Sequence, residues 1–131
     1  PYVATASPGY YMDFTRKVKK ALDSDGPAFI NVLAPCPLGW KSEAADSQII
    51  ARLGVETCIW PLYEIENGHF KLTFRPNVKK PVVDYLKLQG RFSHLFKPGN
   101  ENILEHIQDK VDADWNKLLK REKWEQDDLS N

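Results

Sequence analysis

The sequence predicts an α/β fold in which the last strands of a parallel sheet are followed by a β-hairpin and a long C-terminal helix. Three observations predict it. A strand-like run, a helical stretch of about a dozen residues and a second strand-like run follow one another from Tyr2 to Leu33, and such a crossover favours parallel, right-handed pairing. Two alternating segments flank Glu66-Asn67-Gly68, and Asn-Gly in that setting is the strongest short-range hairpin signal. A stripe of apolar residues at helical spacing then runs from Ile103 to Leu119.

The elements follow in order. Tyr2–Ala6, rich in small and β-branched residues, reads as a buried strand, and Ser7-Pro8-Gly9 breaks it. From Met12 to Asp23 the apolar positions Phe14, Val18, Ala21 and Leu22 recur at helical spacing, which assigns Arg16, Lys17, Lys19 and Lys20 to the solvated face. Asp13 near the start and lysines toward the end suit the helix dipole. Ser24-Asp25-Gly26-Pro27 stops the helix, and Ala28–Leu33 reads as a second buried strand. Past it comes the loop Ala34-Pro35-Cys36-Pro37-Leu38-Gly39-Trp40.

Helical periodicity resumes from Ser47 to Leu53, on to Val55, through Ile49, Ile50 and Leu53. Trp60–Ile65 and His69–Phe74 form the hairpin, with Tyr63, Ile65, Phe70, Leu72 and Phe74 alternating as a half-buried pair should. Pro81 suits the first position of a short helix through Leu88, which Gly90 ends. Lys97-Pro98-Gly99-Asn100 is a turn before a last helix over roughly Glu101–Lys120, striped by Ile103, Leu104, Ile107, Val111, Trp115, Leu118 and Leu119. Arg121–Asn131, polar apart from Trp124 and Leu129, reads as a frayed tail.

Composition narrows the function. At 131 residues the chain is one domain at most. Eighteen basic and eighteen acidic residues cancel, which leaves no electrostatic footprint for nucleic acid or an anionic membrane surface. The longest apolar run is about seven residues against the roughly 20 that a spanning helix needs. No signal peptide is visible. Two cysteines, Cys36 and Cys58, are too few for a disulfide-stapled secreted domain and point to a reducing cytosol. The chain opens at Pro1 in what reads as mid-element, so a processed or truncated piece is expected.

Cys36 is the most informative residue. The default for a lone cysteine is a small buried hydrophobe. Its neighbours argue otherwise: Pro35 and Pro37 stiffen the loop, Pro37 removes a backbone donor, and Gly39 permits close approach. A rigid loop holding one thiolate past a strand's C-terminal end suits an iron–sulfur ligand, and such clusters normally take four. This chain cannot supply four. A nucleophilic role would need a nearby base, and His69, His94 and His106 give no obvious partner. Cys58 reads as core packing. Zinc spacings, Gly-rich phosphate loops and a Walker pattern are absent. The four tryptophans read as core or interface anchors.

Taken together, these segments resemble a known family. Gly26-Pro27-Ala28-Phe29-Ile30 followed by Ala34-Pro35-Cys36-Pro37-Leu38-Gly39-Trp40 looks like the end of the thiamine-diphosphate domain in 2-oxoacid:ferredoxin oxidoreductases, and Tyr2-Val3-Ala4-Thr5-Ala6-Ser7 resembles the strand before it. Ala51-Arg52-Leu53-Gly54-Val55-Glu56-Thr57, Trp60-Pro61-Leu62-Tyr63-Glu64, Glu66-Asn67-Gly68 and Tyr85-Leu86-Lys87-Leu88-Gln89-Gly90-Arg91-Phe92 are similar to the beta subunit of multi-subunit pyruvate synthases.

The resemblance implies that residues 1–58 end a thiamine-diphosphate-binding α/β domain and that 59–131 form a hairpin and helical extension. It implies oxidative decarboxylation of a 2-oxoacid, with transfer of the acyl group to coenzyme A and of electrons through [4Fe-4S] clusters to ferredoxin; pyruvate is favoured, and 2-oxoglutarate, branched-chain and aryl oxoacid enzymes share the scaffold. Cys36 matches the fourth ligand of the cluster nearest the thiamine, and Cys58 matches none. The Gly-Asp-Gly…Asn signature for Mg2+ and diphosphate, and the C-x-x-C pair, are not in this sequence. The chain alone is therefore expected to be inactive and clusterless, with other subunits of a cytoplasmic oxidoreductase as partners. The rival reading is a non-catalytic module that docks a partner subunit, with Cys36 merely packed.

Overall fold

The computed structural model describes residues 1–128, built around one mixed four-stranded sheet in the order β2-β1-β3-β4. β1 (Tyr2–Ala6) lies inside it, parallel to β2 (Ala28–Val32) and antiparallel to β3 (Tyr63–Glu66), with β4 (His69–Leu72) at the far edge. Ala4 is in register with Ile30 on one side and Glu64 on the other. The α/β class is as the sequence predicts, and α1 (Tyr11–Asp23) makes the crossover between the parallel strands. Asn67 and Gly68 turn the hairpin with φ of 51° and 88°, the two left-handed positions of the tight turn that their sequence signals. The hairpin strands are shorter than their sequence runs, and their β3 strand pairs directly with β1.

A helical layer packs beside the sheet. α3 (Ser47–Glu56), α4 (Val82–Leu86), a 3₁₀ stretch over Gly90–Phe96 and α5 (Glu101–Asp128) close around Ile50, Leu53, Val82, Tyr85, Leu86, Leu95 and Val111. Most of the stripe on α5 faces inward as read: Leu104, Ile107 and Trp115 flank Val111 against this core, whereas Ile103, also assigned to it, is exposed. Among the described residues, no helix is long and apolar enough to cross a membrane.

Three expectations need correction. The first is β2, which is not buried. It is an edge strand paired only to β1, and its Phe29 is 62% exposed. Among the described residues, no further strand pairs with that edge.

The second is the buried face of α1. Val18 and Leu22, expected inside, are exposed, whereas Lys17, expected outside, is completely buried. The reason is chemical. The surface beneath α1 offers polar partners: Lys17 Nζ donates to the Thr5 carbonyl at 2.8 Å and to Thr73 Oγ1 at 2.7 Å, and pairs with Asp13 at 2.6 Å. A buried ammonium is tolerated when every proton is used in this way. Beside it Lys20 bridges the buried Glu64 and the exposed Glu66, and the Tyr2 hydroxyl donates to Glu64 at 2.9 Å.

The third is the tail. α5 continues through Asp128 and does not fray at Arg121. The extension is anchored by carboxylates on the β4 edge: Glu122 accepts the Leu72 N–H and Glu125 the Phe70 N–H. These are backbone donors that β4 turns away from β3, and an edge row of that kind requires cover. Residues 129–131 of the expected tail lie outside the described residues.

Candidate functional site

Cys36 stands just past the carboxyl end of β2, as read from the sequence, but it is exposed rather than packed. It precedes α2 (Pro37–Trp40), a single turn that Pro37 opens. The Trp40 N–H donates to the Cys36 carbonyl at 2.8 Å, and the Ser42 N–H to the Pro37 carbonyl at 3.0 Å. Lys41 then ends the turn in a left-handed conformation with φ of 52°, a cost of about 1–2 kcal/mol for a residue with a side chain. Gly39 lies across from the thiol. A Cβ there would sit 3.4 Å from Cys36 Sγ, so the glycine keeps that side of the sulfur open.

The loop is held from a distant part of the chain. The Gly90 N–H donates to the Lys41 carbonyl at 2.9 Å. A Cβ at Gly90 would come within 2.8 Å of that carbonyl oxygen, so only glycine lets the two backbones meet. The Arg91 guanidinium lies 4.1 Å from the centre of the Trp40 ring. Arg91 is itself fixed by two hydrogen bonds to Gln89 Oε1, at 3.0 and 2.6 Å, and the buried Gln89 amide donates to the Tyr85 carbonyl at 2.7 Å. Trp40 packs on the helical core. The cysteine loop is therefore tied to α4 and the 3₁₀ stretch by one close backbone approach and one stacked cation.

Cys58 takes the opposite character. It lies in the core with φ of 60°, just after α3, and burial pushes its thiol up to about 11 although Lys79 pulls the other way. It stays protonated at neutral pH and is a poor ligand or nucleophile. His69, His94 and His106 are exposed on β4, the 3₁₀ stretch and α5, and the structure does not bring them to Cys36. Among the described residues, no three His, Cys, Asp or Glu side chains gather so as to hold a metal ion.

This donor set fits one ligand of a shared cluster and nothing more. The thiol is accessible, its flank is clear and its loop is braced, while among the described residues further ligands are not assembled around it. Sequence reading singled out Cys36 as the candidate but not Gln89, Gly90 and Arg91, which brace its loop. Gly90 was legible only as a helix stop.

No protein-family model matches the chain. Curated relatives do. It is 53% identical over 110 residues to pyruvate synthase subunit PorB of Methanocaldococcus jannaschii, an alignment covering 84% of this chain and 37% of that protein. It is 46% identical over 136 residues to pyruvate synthase subunit PorB of Pyrococcus furiosus, covering 90% of this chain and 40% of the relative. The chain belongs to the beta-subunit family of 2-oxoacid:ferredoxin oxidoreductases. A third member, ketoisovalerate oxidoreductase subunit VorB of Pyrococcus furiosus, is 48% identical over 123 residues, 92% of this chain and 38% of the relative. The chain thus spans about two fifths of the length of these beta subunits.

Proposed function

We propose that this chain is the C-terminal segment of the thiamine-diphosphate-binding subunit of a pyruvate:ferredoxin oxidoreductase, and that Cys36 supplies one thiolate to a [4Fe-4S] cluster. The observation that carries the proposal is the setting of Cys36: exposed, at the carboxyl end of a parallel strand pair, with Gly39 leaving its sulfur open, in a chain 53% identical to a pyruvate synthase subunit. Ligand sites in open α/β sheets favour that edge. The open edge of β2, with Phe29 exposed, supports the reading as the closing part of a larger parallel-sheet domain.

When bound, the cluster supplies one-electron transfer to ferredoxin, and thiamine diphosphate with Mg2+ supplies the decarboxylation whose acyl product passes to coenzyme A. The residues of this chain have a narrower task. Cys36 presents its sulfur, Pro35 and Pro37 limit the loop's freedom, and Gly39 keeps the sulfur accessible. The other three thiolates, and the groups that hold Mg2+ and diphosphate, come from the remainder of the subunit. The enzyme is read as cytoplasmic, because two cysteines are too few for a disulfide-stapled domain.

The test is pyruvate- and CoA-dependent reduction of ferredoxin by the assembled enzyme. Cys36→Ala should abolish it, and undiminished reduction would refute the proposal. The similarity to VorB favours one second reading, a branched-chain 2-oxoacid as substrate. Comparing kcat/KM for pyruvate and ketoisovalerate decides between them.

A further inference from the structure

We propose that Gly90 and Arg91 are positioning residues for the Cys36 sulfur, an inference that rests on the reading of Cys36 as a cluster ligand. A four-residue turn such as α2 holds little by itself: it is closed by the Trp40 and Ser42 N–H bonds and a long Lys41 N–H bond to the Leu38 carbonyl at 3.4 Å, and it ends in a left-handed lysine. Its place relative to the fold is set by two contacts from residues far along the chain. The Gly90 N–H reaches the Lys41 carbonyl at 2.9 Å, and the Arg91 guanidinium stacks 4.1 Å from the Trp40 ring. Both originate on a segment made rigid by the buried Gln89 amide and the Tyr85 carbonyl.

The two contacts act at the end of the turn opposite to Cys36, so they fix its orientation as well as its position. Gly90 takes no left-handed φ, and alanine there is disfavoured only because its Cβ would meet Lys41 O at 2.8 Å and Lys41 Cβ at 2.9 Å. Gly90→Ala therefore pushes the loop directly. Arg91 lies over the Trp40 ring and is held by a two-pronged bond to Gln89, which lysine cannot reproduce. Cluster potentials respond to the orientation, hydrogen bonding and solvation of the ligand sulfurs. Displacing this loop should therefore be read out at the cluster.

The test uses the assembled enzyme carrying Gly90→Ala, Arg91→Met or Arg91→Lys, with Cys36→Ala as reference. Two quantities are measured on each: amide hydrogen exchange at residues 36–42, and the reduction potential and g-values of the cluster that Cys36→Ala removes. Losing a cation–π contact corresponds to roughly a 2- to 30-fold change in an opening equilibrium, so exchange should speed by that factor in Arg91→Met. Arg91→Lys should fall between wild type and Arg91→Met. Gly90→Ala and Arg91→Met should both shift the potential and g-values while iron content stays at the wild-type level. Unchanged exchange, or faster exchange with an unchanged cluster spectrum, overturns the inference and leaves the ligand role of Cys36 standing. A full cluster complement in Cys36→Ala overturns the ligand role itself and the inference with it. Should Gly90→Ala fail to assemble, the two Arg91 variants decide alone.

Discussion

The Glu122 carboxylate accepts the backbone N–H of Leu72 at 2.9 Å, which couples the far end of the last helix to the free edge of the sheet. Glu122 is 3% exposed and also pairs with Arg75. Its neighbour Glu125, one turn on, takes the Phe70 N–H. The β4 edge is thereby closed from within the chain, while the β2 edge is left open.

Glu122→Ala should therefore destabilise the fold although it sits in a stretch that reads as a polar tail. It leaves a buried edge donor and Arg75 without a partner, at a cost of about 2 kcal/mol. A urea-unfolding series checks this, and a frayed tail would give no measurable change.

Lys17→Met tests the face that α1 presents to the sheet. A lysine on a solvated helix face can be replaced within about 0.5 kcal/mol. Lys17 instead bonds Thr5, Thr73 and Asp13 in full burial. Removing one partner of such an arrangement should cost about 3 kcal/mol in the same denaturation assay.

Acid sensitivity should centre on Glu64. Burial pushes its carboxyl up, but hydrogen bonds from Lys20 and Tyr2 and the charges of Lys20 and Arg16 outweigh that and hold it below the ordinary value of 4.5. A carboxyl held lower when folded than when unfolded stabilises the fold above its unfolded value, and that stabilisation is lost as pH falls through the folded value. The urea midpoint should drop as pH is lowered from about 5 to about 3, and Glu64→Gln should flatten that slope. The flattening should be partial. Glu56, also raised by burial, is likewise held low on balance by Lys80, Tyr10 and Arg52.

Alkylation should separate the two thiols in the isolated chain. Iodoacetamide at neutral pH should modify the exposed Cys36 and spare Cys58, whose buried thiol is pushed up to about 11. Intact-mass measurement should show one adduct on the folded chain and two after unfolding.

The parts of the fold set by local chemistry were legible in the sequence. Asn67-Gly68 announces its turn because few residues take two left-handed conformations in succession. The α5 stripe announces its inner face, and the prolines around Cys36 announce a stiff loop at a strand end. What was missed depends on partners distant in sequence. Whether Val18 or Lys17 of α1 faces inward depends on Thr5 and Thr73, which hydropathy periodicity does not report. Apolar content alone does not tell an interior strand from an edge, so Phe29 was misplaced. Glu122 and Glu125 look like tail residues until β4 is beside them. Gly90 looks like a helix stop until Lys41 lies against it. The cysteine of the candidate site was visible and its bracing was not, since a ligand is a residue type whereas a brace is a distance.

The most direct measurement is the electron paramagnetic resonance spectrum and iron content of the assembled, reduced enzyme carrying Cys36→Ser. The predicted result is loss or marked alteration of one [4Fe-4S] signal, with lower iron content and thiamine diphosphate still bound. Wild-type iron and an unchanged set of cluster signals would contradict the assignment of Cys36 as a ligand.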